Sequence, residues 1–497
     1  MIRGRKTMKA QYLLLGVLAL GMLSACSLAP EHQRPVAPIP AVWPTGAQTT
    51  ANTSDFAELG WRSFVVNDEA RGLVQAALEN NRDLRKAVLS IEAARAQYRI
   101  TRAARLPDVG IYAEGERQRG PADLNPDGQS GVQSSYQVGV GLNAYEIDLF
   151  GRVRSLSEAA LREYLATEEA ARTVQISLIG EVLEAYIAAD GALRRLQLTQ
   201  ETLTTRLASL ELIRSRHDSG VASTLDYQDA LALTEAARAD LERTEREYQQ
   251  ARNALALLVG NGADRNSLVR TVATGQIVSS VVEAGLTSDL LTRRPDIRAA
   301  EYRLMARNAD IGAARAAFFP SITLTGAFGT ASSELSGLFD SGSRAWSFLP
   351  QINLPIFRGG VNVANLDLAK VRRDAAISDY EKAIQQAFRE VSDALDARRT
   401  LDREWQARTR LAEASTTGLR LAEARYIQGL DGYMRFLDSQ RSNFFDRISL
   451  SDVSTQYQIS LVRLFRAVGG SWDSQQLGDT PESMGSTVVT GSKAEVN

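Results

Sequence analysis

Two histidines, His32 and His217, and one cysteine, Cys26, are the only imidazole and thiol side chains in this 497-residue chain. A metal centre built on His and Cys needs several such ligands at short spacing, and no such cluster occurs. The chain also has no GxSxG elbow and no P-loop. The sequence therefore assigns no catalysis, no cofactor and no nucleotide site. Most carboxylates are spaced as solvated helix faces. Two sets stand apart: Met434 and Asp438, with Arg435 between them, and Leu225 and Asp229 at matching positions in an earlier segment. Residues four apart share a helix face. Were these faces turned to a symmetry axis, copies of Asp438 would form an acidic ring with Met434 as an apolar collar. Such rings select cations and such collars resist wetting, and Arg435 could offset the mutual repulsion of the carboxylates.

Each set follows a turn between two long helical patterns. The first turn runs from His217 to Asp226 and the second from Tyr426 to Asp438. Gly220 and Gly429 suit the left-handed position that ends a helix, and Ser223 can cap the next one. His217 stands in the first turn where Tyr426 stands in the second, so a contact made by the tyrosine need not occur twice. The flanking patterns predict helices over about 68–105, 152–216, 224–259, 361–427 and 433–468. The second of these would reach nearly 100 Å at 1.5 Å per residue. Small residues are frequent along them, which permits close packing into sheets or cylinders of helices.

At the other end of the helices the period changes. From Arg293 to Gly326, Pro295 opens a helix on which Ile297, Ala300, Leu304, Ile311 and Ala314 recur at helical spacing. After Phe319-Pro320, Ile322, Leu324 and Phe328 alternate with small or polar residues, as in a strand. Leu106-Pro107 marks the same junction about 210 residues earlier, so the chain reads as a duplication, with repeats over 67–286 and 287–470. Hairpin logic pairs 108–119 with 134–149, and 320–332 with 344–357. In the returning strands Tyr136, Val138, Val140, Leu142 and Ala144 share one face and Ser135, Gln137, Gly139, Gly141 and Asn143 the other. Likewise Trp346, Phe348, Ile352 and Leu354 oppose Ala345, Ser347, Gln351 and Asn353. One apolar and one small or polar face over about ten residues is the pattern of a transmembrane barrel strand. Four strands cannot close a barrel and lipid does not tolerate an open edge, so the barrel is expected to be shared between two, three or four chains.

The chain begins with Arg3, Arg5, Lys6 and Lys9, then an apolar run from Tyr12 to Leu23 too short to span a bilayer. The Leu23-Ser24-Ala25-Cys26 box resembles a bacterial lipoprotein signal, which makes residues 1–25 a leader and Cys26 a lipidated first residue. Ser27 after it favours, by the same resemblance, the outer membrane. Residues 26–66 read as an extended arm lying on the body through Trp43, Phe56, Trp61 and Phe64. Residues 471–497 read as a polar tail. The balance of 57 Lys+Arg against 59 Asp+Glu gives no reason to invoke nucleic acid.

Taken together, Leu23–Cys26, Trp61-Arg62-Ser63-Phe64, Asn80–Leu84, Tyr145–Gly151, Arg293–Gly326, Leu354–Gly360 and both turns resemble the TolC-like family of outer-membrane efflux channels, in its lipoprotein (NodT) subgroup. The resemblance implies an α+β membrane protein and a homotrimer, with a twelve-stranded β-barrel of four strands per chain. It further implies a long α-helical periplasmic barrel and a mixed belt drawing on residues 30–66, 260–292 and the C-terminal part. Its partners would be a periplasmic adaptor, an inner-membrane pump of the resistance-nodulation-division type and outer-membrane lipid. The function implied is passive conduction of small molecules, drugs or other toxic compounds, to the exterior. The same architecture also serves as the outer channel of protein secretion, which is the alternative.

Overall fold

A computed structural model of the chain describes residues 28–40, 42–43, 60–124, 130–260, 267–280, 287 and 290–470. Cys26, the leader, Phe56 and the tail lie outside them. The elements are α1 (Trp61–Phe64), α2 (Asp68–Asn80), α3 (Arg82–Ala103), β1 (Val109–Gly120), β2 (Gly131–Ile147), α4 (Arg152–Asp218), α5 (Thr224–Val259), α6 (Leu290–Arg293), α7 (Pro295–Ala316), β3 (Ser321–Ser332), β4 (Arg344–Asn353), α8 (Val361–Ile427) and α9 (Tyr433–Ala467). No described helix is long and apolar enough to cross a membrane.

The chain divides into two compact units. The first takes in residues 28–37, Leu89–Glu169 and Arg298–Lys382. Its sheet is antiparallel throughout, in the order β1-β2-β3-β4. The register lines up Ile111, Val140, Phe328 and Trp346 in one cross-strand row, and all four are exposed. On the opposite face the equivalent row is Tyr112, Gly139, Gly329 and Ala345. A Cβ on Gly329 would lie 2.1 Å from the Val138 carbonyl oxygen, so this close pairing admits only glycine. One face is therefore broad and apolar and the other small or polar, as a bilayer-facing sheet with a wet interior requires.

The predicted apolar face of β2 is right as far as Leu142 and wrong at Ala144. A bulge between Leu142 and Tyr145 shifts the register, and Ala144 takes a left-handed φ of 41°. The extra residue carries Tyr145 and Ile147 onto the face shared with Leu324 and Ile322. Two strand limits also differ from expectation. β2 starts at Gly131, because pairing with β1 continues to Gly120. β4 stops at Asn353, not 357, because Pro355 follows and Gly359 and Gly360 adopt positive φ.

In the same unit α7 packs on α4 through Ala159, Ala306 and Ala309, where small side chains let the helices approach closely. Arg307 to Glu163 (2.6 Å) and Arg298 to buried Glu169 (2.9 Å) tie the pair along its length. The arm runs along α7 as well. Arg34 grips the buried Glu301 with two hydrogen bonds of 2.8 Å, His32 lies 3.5 Å from the same carboxylate, and the Leu28 carbonyl accepts from Arg315. A side chain on Gly312 would strike Ala29.

The second unit takes in described residues among 38–88, Ala170–Ile297 and 383–470. Trp43 stacks on Phe388 at 5.0 Å and Phe64 on Phe465 at 4.3 Å, as the apolar residues of the arm suggest. Trp61-Arg62-Ser63-Phe64, however, is a helical turn and not extended. The single helix expected over 68–105 is broken at Asn81, whose ψ of 132° is extended. Asn81 caps the following helix with its side-chain oxygen and donates to the Leu258 carbonyl near the end of α5. Arg294 does the corresponding work before α7: it donates to the Ala467 carbonyl ending α9 and pairs with Asp296 and Glu390. Its hydrogen-bonded carboxylate partners outweigh burial and raise its pKa.

Candidate functional site

The two turns lie in the second unit, at the ends of α4–α5 and α8–α9. Gly220 and Gly429 both adopt φ of 73°. In each turn the next residue reaches back to close the helix: Val221 N donates to Arg216 O (2.8 Å), and Leu430 N to Arg425 O (2.9 Å). These are paired Schellman closures. Beyond them the turns differ. Ser223 accepts from Asp226 N while Asp226 accepts from Ser223 N, a capping box that starts α5. At the second turn Gly432 stands at the cap and supplies no side chain. There Arg425 grips Asp431 with bonds of 2.7 and 3.0 Å, and Arg435 approaches the same carboxylate at 3.7 Å. Arg425 holds the Asp431 carboxyl below its ordinary range.

Behind the turns Ile213, Ala230, Leu233, Tyr426, Tyr433, Phe436 and Leu437 form one buried cluster drawn from all four helices. Tyr426 stacks on Phe436 at 5.6 Å, and the Arg216 guanidinium lies 4.6 Å over the Tyr426 ring. Burial, with Tyr426, Asp229 and Asp226 nearby, pushes the Tyr433 hydroxyl up to about 12. His217, at the position of Tyr426, instead stacks on Tyr227 at 5.5 Å and meets Thr224 Oγ1 at 3.3 Å. Further along, buried Arg206 donates to the Leu233 carbonyl, and its pKa is lowered chiefly by burial.

Met434 and Asp438 are both exposed and one helical turn apart on α9. Leu225 is exposed on α5, but Asp229 is half-buried beside Tyr433. The matching carboxylates of the two repeats thus have different surroundings. Arg435 goes to Asp431. Sequence reasoning missed the Asp431–Arg425 clasp; an Arg and an Asp flanking a turn glycine were the signal that could have found it. It also missed Arg216 over Tyr426, a pairing between helices far apart in the chain. Among the described residues no group of three or more His, Cys, Asp or Glu could hold a metal ion.

A bilayer-patterned four-stranded sheet on long helices closed by paired turns defines an outer-membrane channel. The chain belongs to the outer membrane efflux protein family, whose model matches residues 73–261 and 286–470. It is 55% identical over 451 residues to outer membrane protein OprJ of Pseudomonas aeruginosa, covering 91% of this chain and 94% of that protein. It is 46% identical over 476 residues to the toluene efflux pump outer membrane protein TtgF of Pseudomonas putida, covering 94% of this chain and 98% of that one. A crystal structure of a membrane protein from Pseudomonas aeruginosa matches with a TM-score of 0.86 and 55% identity, over 90% of this chain and 98% of that chain. The chain is an outer-membrane efflux channel, and these relatives favour efflux over the secretion alternative.

Proposed function

We propose that three copies of this chain close a twelve-stranded barrel and act, without catalysis of their own, as the passive exit duct of a tripartite pump. The observation that carries this is the sheet: its outer strands β1 and β4 are not paired with each other, while the apolar row Ile111–Val140–Phe328–Trp346 is exposed, as a lipid-facing wall would be. Copies joined β4 to β1 satisfy both edges. A periplasmic adaptor and an inner-membrane pump of the resistance-nodulation-division type supply capture and energy. The relative named for toluene efflux supports small organic compounds as the cargo. A lipid on Cys26 adds a second membrane attachment, and Cys26→Ser would abolish labelling by a radioactive fatty acid. At the periplasmic end, exposed Asp438 and Met434 of the three copies form the constriction, held in place by the clasped second turn. Native mass measurement in detergent tests the assembly: a trimer is expected, and a stable membrane-inserted monomer would contradict it.

A further inference from the structure

The four strands sort their charges by face. Glu114, Glu116 and Glu146 stand on the face that holds Tyr112 and Thr323. Arg117, Arg119 and Arg344 stand on the apolar face, with Ile111, Val140, Phe328 and Trp346. No other charged residue occurs in β1–β4. A guanidinium on a wall that meets hydrocarbon is costly at mid-bilayer and cheap at the interface, so the height of these arginines decides what they can do.

All three lie at the same end of the sheet. The helices join the strands near Val109, Ile147, Ser321 and Asn353, and the two hairpins close the opposite end. Arg117 and Arg119 are the last residues of β1 on the apolar face before the first hairpin, and Arg344 opens β4 after the second. Next to them on that face come Tyr136, one row below Arg117, and Trp346, one row below Arg344. Hydrocarbon wall, aromatic residues and then cations is the order met on leaving a bilayer core. At the helix end the same face ends uncharged, on Ile147, Ile322 and Ile352. Arg117, Arg119 and Arg344 are exposed, and no ion pair or side-chain hydrogen bond commits them to another described residue. Arg117 and Arg119 are about 7 Å apart at ~3.4 Å per residue, and Ser134, paired with Arg117, adds a hydroxyl. In a barrel closed β4 to β1, the hairpin end of β4 adjoins the hairpin end of β1, so Arg344 meets the other two at one seam. Uncommitted guanidinium groups above an apolar wall suit phosphate carried on acyl chains.

We propose that Arg117 and Arg119, with Arg344 across the seam, bind the phosphates of an acylated lipid in the outer leaflet, whose chains lie on the apolar rows below. This site rests on the barrel reading given above. The test uses the full-length protein in detergent, titrated with diphosphoryl lipid A and followed by native mass spectrometry. Wild type should retain one lipid per chain. Arg117→Gln combined with Arg119→Gln should bind at least about tenfold more weakly, tenfold being the loss of one charge-assisted donor. Replacing both by Lys should keep most of the binding. Arg358→Gln, at an exposed arginine beyond the helix end of β4, should bind as wild type does. Millimolar inorganic phosphate should leave the lipid in place. Undiminished binding by the double Gln variant, or an equal loss in Arg358→Gln, would overturn the site, and displacement by inorganic phosphate would overturn the lipid as its occupant. The same spectra give the mass of the assembly. Absence of the trimer is therefore a failure of the barrel, and a trimer that binds lipid without Arg117 and Arg119 is a failure of the site.

Discussion

At the first turn Ser223 and Asp226 cap each other's backbone, and His217 rests on Tyr227 at the surface. At the second, Gly432 caps nothing, and the turn is held by Asp431 against Arg425 and by Tyr426 sunk between Phe436 and Arg216. The glycines that reverse the chain have the same φ. The two turns thus share a backbone path, which favours a residue at left-handed φ, while the side chains that stabilise it differ. Beyond the backbone closure both share, the first turn is held by a local capping box, and the second by the Arg425–Asp431 ion pair and by Arg216 reaching across from α4 to Tyr426. Side-chain clasps can be released without unfolding a helix, which suits the second turn to the constriction proposed above.

The largest separation between the turns should come from their aromatic positions. Tyr426→Ala removes a buried ring and should cost about 3–5 kcal/mol locally, seen as faster hydrogen exchange over both segments flanking Gly429. His217→Ala, at a partly exposed ring, should change exchange at Gly220 by less than about 1 kcal/mol. If the two substitutions acted equally, the second turn would not be the one anchored by its core. Next in size is the cap. Ser223→Ala should cost about 1 kcal/mol at the start of α5, whereas Gly432→Ser should stabilise the start of α9 by only a few tenths of a kcal/mol, since glycine is itself a tolerable cap, again read by exchange. A null result at both would mean that the caps do not distinguish the turns.

The smallest effect concerns the clasp. Because Arg425 lowers the Asp431 pKa, the pair's contribution is whole above the ordinary carboxylate value of 3.8 and is lost as pH falls through the lower folded value. Protease cleavage near Gly429 should therefore be flat from about pH 8 to about pH 5 and rise only in stronger acid. Arg425→Gln should remove that acid-dependent rise. A rise already complete near neutral pH would mean that the Arg425–Asp431 pair does not govern it.

Much of this fold was legible because the chain marks its own boundaries. Pro295, Gly220, Gly429 and the change of period at Phe319-Pro320 fix helix ends and the strand start to within a residue or two. What escaped were features set by tertiary context. Asn81 breaks a helix that local periodicity continues, because its side chain is needed both as a cap and as a tie to Leu258. The bulge at Ala144 has no composition signal, since alanine does not announce a left-handed φ. The environments of Asp229 and Asp438 could not be told apart by spacing, because tertiary packing leaves Asp229 half-buried near Tyr433 and Asp438 exposed.

Single-channel currents through reconstituted trimers compare the two repeats at the point that matters for transport. A constriction built by the second turn predicts higher conductance and weaker cation preference in Asp438→Ala, and more so when Met434→Ala is added, with little change in Asp229→Ala. Unchanged currents in correctly assembled Asp438→Ala trimers, or an equal change in Asp229→Ala, would contradict a gate formed by the second turn.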